Sequence, residues 1–261
     1  MDISKFDAET KQRVFQQAID LFVAPEIDRR KKIKKLPANF NLEKAQIIFS
    51  SKTGRICTRL NKEVKAVIKC KVNRAIKKGD AVYDKDIDNI ESVKLTDRDL
   101  NYGHITLLYF KGSWIVSFDF IYNKLEIKKH IEASKEFYES AKDNSEKNRL
   151  RPFYENAFAS AELFTKSILL SLPIKESSKG SKHKSRKDFL ENWANLGNVK
   201  PEFSTTLSKL YSLRNSARYL ASEDFKKESP KEIIGVLEEM ISFWENREND
   251  KNAWMLHNLR R

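Results

Sequence analysis

The spacing of apolar residues changes twice along the chain. Between Gln12 and Ile27, Val14, Ala18, Leu21 and Phe22 recur at three- and four-residue intervals, the period of one helical face. Pro25 predicts a kink or a stop near the end of that stretch, because its ring removes a backbone donor. After a turn at Pro37 the apolar runs shorten. QIIFS, RICTRL and VKAVIKCKV are brief, rich in β-branched residues and separated by Gly54 and Asn61, which predicts strands. HITLLYFKGSWIVSFDF reads as a hairpin, with Lys111-Gly112 as its turn and Trp114, Val116, Phe118 and Phe120 alternating onto one face. An antiparallel sheet with one covered face accounts for the region. Between the strands, DAVYDKDIDNIESVKLTDRD alternates Asp84, Asp86 and Asp88 as a calcium loop would. Asn89 and Leu95 stand where that loop needs its glycine and its closing acid, so the stretch reads as a solvated connector.

From Lys124 the period turns helical. Ile127, Ile131, Ser134, Tyr138 and Ala141 mark one helix, and Phe153, Ala157, Ala161, Phe164 and Ile168 a second. Phe189, Trp193 and Leu196 mark a short third helix after a basic loop, and Phe203, Leu207, Leu210, Ala217 and Ala221 a fourth. The fifth opens on a full start signal, Ser229 at N-cap, Pro230 at N1 and Glu232 at N3. The predicted architecture is therefore α+β. An N-terminal helix and a small antiparallel β-sheet occupy residues 1–123, and a five-helix bundle occupies residues 124–261.

Composition narrows the partners. The chain has 261 residues, 50 basic against 37 acidic, for a net charge of +13. A basic surplus favours polyanions such as RNA or nucleotides. RRKKIKK at 29–35 is basic at every position but one, and KESSKGSKHKSRK at 175–187 gathers Lys182, Lys184, Arg186 and Lys187 around His183. No apolar run approaches a membrane span, no signal peptide is evident, and a cytoplasmic location without membrane association is expected. Cys57 and Cys70 have no metal or disulfide spacing, so two reduced thiols and no cofactor are expected.

The candidate chemistry lies in the fourth helix. At ~100° per residue its apolar side carries Phe203, Leu207, Leu210, Leu213 and Ala217, and Tyr211, Arg214, Asn215, Arg218 and Ser222 form a polar strip beside it. Arg214 sits at the margin of the apolar stripe, where a partly desolvated guanidinium must find a carboxylate, a carbonyl or an anion. Two outcomes are open. The arginines pair with acids of the second helix such as Glu155 or Glu162, or they receive a phosphate.

Residues 124–248 resemble the HEPN superfamily, compact helical domains of toxin–antitoxin and phage-defence systems. The likeness rests on the order of helices, the alanine-rich second helix NAFASAELFTKSILL, the lysine-flanked histidine of SKHKSRKDFL and the Arg214-Asn215 pair. Ribonuclease members carry an arginine followed four to six residues later by histidine. The arginine neutralises the scissile phosphate, and the histidine assists attack by the neighbouring 2′-hydroxyl without a metal. Here Tyr219 stands at the histidine position, and a phenol with a pKa near ~10 is a poor base at neutral pH. Ala221 stands where some relatives carry a tyrosine that a partner nucleotidyltransferase modifies. Binding-type members have R-x-x-A-x-Y, which Arg214, Ala217 and Tyr219 fit.

The resemblance implies a homodimer through the bundle and a separately encoded defence or antitoxin partner. It also implies a leading role in binding RNA or nucleotide phosphate through Tyr211, Arg214, Asn215, Arg218 and Tyr219, widened by the basic loop. The alternatives are a metal-independent endoribonuclease in which Arg214 and His183 are catalytic, and a non-catalytic dimerising scaffold. Arg98 and His104 match the arginine–histidine spacing only numerically, since they enter a strand, and His130 and His257 read as surface.

Overall fold

The computed structural model describes residues 8–50, 54–173, 182–219, 229–249 and 255–260. The chain divides into two compact units, Met1–Tyr122 with Asp250–Arg261, and Asn123–Asn249. In the first unit α1 (Ala8–Ala18), a π-helical turn (Ile19–Val23) and α2 (Ala24–Lys32) follow without a break. Pro25 therefore neither stops nor ends the helix. It lies in the first turn of α2, directly after the wide turn in which the Ala24 N–H donates to the Ile19 carbonyl. A missing donor is tolerated there.

The strands are β1 (Lys44–Phe49), β2 (Ile56–Leu60), β3 (Ala66–Val72), β4 (Ile87–Leu95), β5 (Gly103–Phe110), β6 (Ser113–Asp119) and β7 (Met255–Arg260). Five make one antiparallel sheet in the order β2-β1-β5-β6-β7, and β3 with β4 makes a separate hairpin. The β5–β6 turn is the expected one. Lys111 and Gly112 both take positive φ, +47° and +85°, the combination that matches the twist of the flanking strands.

One sheet face packs Ala45, Ile47, Leu107, Trp114, Val116 and Phe118 against Ala18 and Val23 of the N-terminal helix. The opposite face is covered as well, because Leu108 and Ile115 pack against Ile90 and Val93 of β4. The stretch expected to be a solvated connector is thus partly a strand with a buried edge. Register slips at Lys69/Cys70 and Lys71/Val72 break its period of two, which hides it from the alternation pattern. Asp86 accepts hydrogen bonds from Arg74 and from the Tyr83 N–H, and no group of potential metal ligands occurs among the described residues. His104 is buried in β5 with Nδ1 3.0 Å from Thr106 Oγ1, so it serves the packing of the sheet.

The second unit consists of α3 (Lys124–Glu146), α4 (Leu150–Ser171), α5 (Lys182–Asn195), α6 (Pro201–Tyr219) and α7 (Pro230–Asn249). Helix α4 is central and packs against all four others. Its Phe153, Tyr154, Ala157, Ala161, Phe164 and Ile168 are buried. Ser134 and Ser160 each donate to the other's carbonyl at 2.9 Å, so two small side chains join α3 and α4 at close approach. Two differences from the sequence reading matter. Helix α5 begins at Lys182, which puts Lys184, Arg186 and Lys187 on helical turns rather than in a loop. The C-terminal β7, which contains His257, pairs with β6, so residues 250–261 group with the sheet unit.

Candidate functional site

Helix α4 presents a second stripe beside its core face. Arg151, Glu155, Phe158 and Glu162 follow one another at intervals of four, three and four residues, the spacing that stacks side chains along one side of a helix. Helices α5 and α6 close over this stripe.

From α6 come the arginines. Arg218 Nε donates to Glu155 Oε1 at 2.6 Å, and Arg214 Nε lies 3.5 Å from the other carboxylate oxygen, Oε2. One acid thus holds both guanidiniums, one on each oxygen. The Arg214 guanidinium also lies over the Phe158 ring, its central carbon 4.7 Å from the centroid, the geometry of a cation–π contact. Its side chain is 16% exposed and makes no hydrogen bond to a described residue. Tyr211, one turn earlier, tilts against the same ring at 6.2 Å. Arg151 reaches α6 from below and donates to the Ala217 carbonyl at 2.7 Å, placing a cation near the last described turn.

From α5 comes a parallel arrangement on the next acid. His183 Nδ1 bonds Glu162 Oε1, and Arg186 Nη1 donates to the same oxygen at 3.0 Å. A carboxylate only accepts, so Nδ1 carries a proton and donates it. The His183 ring lies 5.7 Å from the Phe158 ring, the platform that also carries Arg214. A histidine oriented by an acid, beside a guanidinium, has the arrangement of a group that transfers protons.

The expected residues therefore divide. Tyr211, Arg214, Arg218, His183 and Arg186 gather around the α4 stripe, whereas Asn215 and Lys184 are exposed and Lys187 is half-buried. The side chains of Lys182 and Tyr219 lie outside the described residues, as does Ala221. Pairing of Arg214 and Arg218 with Glu155 realises one of the two outcomes the sequence left open. His183 joins the cluster through α5 rather than through a loop folding back. Phe158 and Arg151 were missed. The signal that finds them is the four-three-four spacing on α4, which sets an aromatic residue between two acids along one side of the helix.

Residues 127–247 match the family model of the HEPN domain. No curated protein matches the chain. The matched span runs from α3 into α7 and contains every residue of the cluster, so the cluster belongs to a domain type with RNA-related or nuclease-type functions in the broad sense. Among the described residues no helix is long and apolar enough to cross a membrane.

Proposed function

The helical bundle of this chain belongs to the HEPN family, and from that premise we propose that it binds the phosphates of RNA or of a nucleotide through Arg214, Asn215 and Arg218. The observation that carries the reading is the state of Arg214. Its guanidinium is held on Phe158 and beside Glu155, yet its hydrogen-bond donors are uncommitted among the described residues. A guanidinium fixed in orientation binds an oxyanion with less loss of freedom than a mobile one. Arg218 supplies a second donor set one turn away, and Lys184 and Lys187 add positive charge on α5. A homodimer through the bundle, set in a defence or toxin–antitoxin system with a separately encoded partner, completes the proposal and rests on the family resemblance.

A labelled single-stranded RNA, titrated by fluorescence anisotropy against the wild type, Arg214→Ala and Arg218→Ala, tests it. Each substitution removes a charge-assisted contact and weakens binding by ~1–3 kcal/mol, about five- to 150-fold. Unchanged affinity in both variants defeats the reading.

A second reading, a metal-independent endoribonuclease, has its own observation. Glu162 orients His183, and the imidazole shares the Phe158 platform with Arg214. In that chemistry His183 Nε2 takes the proton of the 2′-hydroxyl as it attacks phosphorus, and the P–O5′ bond breaks as the 5′-oxygen takes a proton from water and leaves as a hydroxyl. Cleavage of RNA in EDTA, leaving a 2′,3′-cyclic phosphate and lost in both His183→Gln and Arg214→Ala, makes the protein an enzyme. Absence of cleavage in the wild type defeats this second reading.

A further inference from the structure

We propose that Glu155 is a built-in counter-anion that occupies the phosphate seat of Arg214 and Arg218 and gates nucleic-acid binding there. The inference rests on the binding role proposed for the two arginines. A phosphodiester offers two non-bridging oxygens and one negative charge. Glu155 offers the same, one oxygen to Arg218 at 2.6 Å and the other to Arg214 at 3.5 Å. In the free protein one of the two positive charges at the site is therefore already neutralised.

Three features make the carboxylate replaceable. Arg214 does not depend on it for position, because Phe158 carries the guanidinium and the side chain is largely buried. Arg218 is half-exposed, 48%, and can swing toward an incoming anion. Glu155 keeps 28% exposure, so its oxygens regain water when they let go. An ion pair open to solvent on both sides is weak, of the order of a few-fold in an equilibrium constant. A site whose competent state is populated only in part has its affinity reduced by that fraction. Removing the charge of Glu155 while keeping its shape lifts that reduction and takes a negative charge away from the incoming phosphate.

The test is RNA binding by wild type, Glu155→Gln, Arg214→Ala and Arg218→Ala, read by anisotropy with a single-stranded oligonucleotide at fixed salt. Glu155→Gln binds about three- to tenfold more tightly than the wild type, whereas the arginine variants bind less tightly. If Glu155→Gln binds equally or more weakly while the arginine variants lose affinity, Glu155 positions the arginines; the gate is then overturned and the binding role stands. If neither arginine variant changes affinity, both fall together. A thermal melt accompanies each variant. Should Glu155→Gln fail to fold, Glu155→Asp replaces it, since the shorter acid withdraws from Arg214 and Arg218. Affinity above the wild type then supports the gate, and affinity at or below it overturns the gate.

Discussion

The contact most open to a quantitative check is the one between Arg214 and Phe158. Replacing Arg214 with alanine removes three things. The cation–π contact at 4.7 Å is largely shielded from water, and such contacts contribute ~1–2 kcal/mol. The ion contact to Glu155 is long and adds ~0.5 kcal/mol. The methylene stem covers apolar surface and adds ~1 kcal/mol. Loss of a buried ion pair ordinarily costs ~3–5 kcal/mol because the surviving charge is stranded. Here Glu155 keeps Arg218 at 2.6 Å, so that penalty does not arise. The expected loss is ~2.5–3.5 kcal/mol.

A double-mutant cycle isolates the ring contact. Phe158→Leu, Arg214→Ala and the double substitution are unfolded in urea and followed by circular dichroism at 222 nm, where the helices dominate. The coupling between the two positions should be ~1–2 kcal/mol. A coupling below ~0.3 kcal/mol refutes the stacked geometry. A loss above ~4 kcal/mol for Arg214→Ala alone refutes the claim that Arg218 keeps Glu155 satisfied.

Three further expectations concern charge and assembly. If α5 follows the RNA backbone, log affinity falls linearly with log salt, and neutralising Lys182, Lys184 and Lys187 together flattens the slope; Arg186 is left out because it holds Glu162 at 3.0 Å. An unchanged slope removes α5 from the footprint. In the sheet unit, the hydrogen bond from Arg29, joined by that from Arg30, lowers the Glu26 carboxyl from an ordinary 4.5 to about 2. A depressed folded-state pKa gives stability that is complete above the unfolded value and disappears as pH falls from about 4.5 through about 2. Glu26→Gln should flatten that part of an acid-unfolding profile, and an identical profile refutes the linkage. Light scattering should give a dimer at tens of micromolar, a rough range for a specific interface, and a monomer there counts against the bundle as a pairing surface.

The limits of sequence reading in this chain have particular causes. The five helices of the bundle were legible because each carries its own apolar stripe, and the β5–β6 hairpin because its turn residues require positive φ. Strand β4 was not legible, since two bulges shift its apolar residues out of a period of two. Strand β7 was not legible for a different reason. It pairs with β6, more than a hundred positions earlier, and no local pattern specifies a partner at that distance.

The site divides along the same line. Arg214 and Arg218 stood out because two cations beside an apolar stripe are locally anomalous. Glu155 and Glu162 could be named only as possible partners, since either lies within reach of the neighbouring helices. Phe158 attracted no notice, because an aromatic residue in an apolar-rich helix reads as core. It is indeed buried, at 3%, but one of its faces supports a guanidinium and its surroundings include an imidazole. A motif on one helix thus describes one wall of a site that has three. Whether Arg214 is a structural ion, a phosphate ligand or a partner of His183 depends on the acid and the ring that α4 sets opposite it. That dependence makes substitutions at Glu155 and Phe158, rather than at the arginines alone, the ones that separate the three roles.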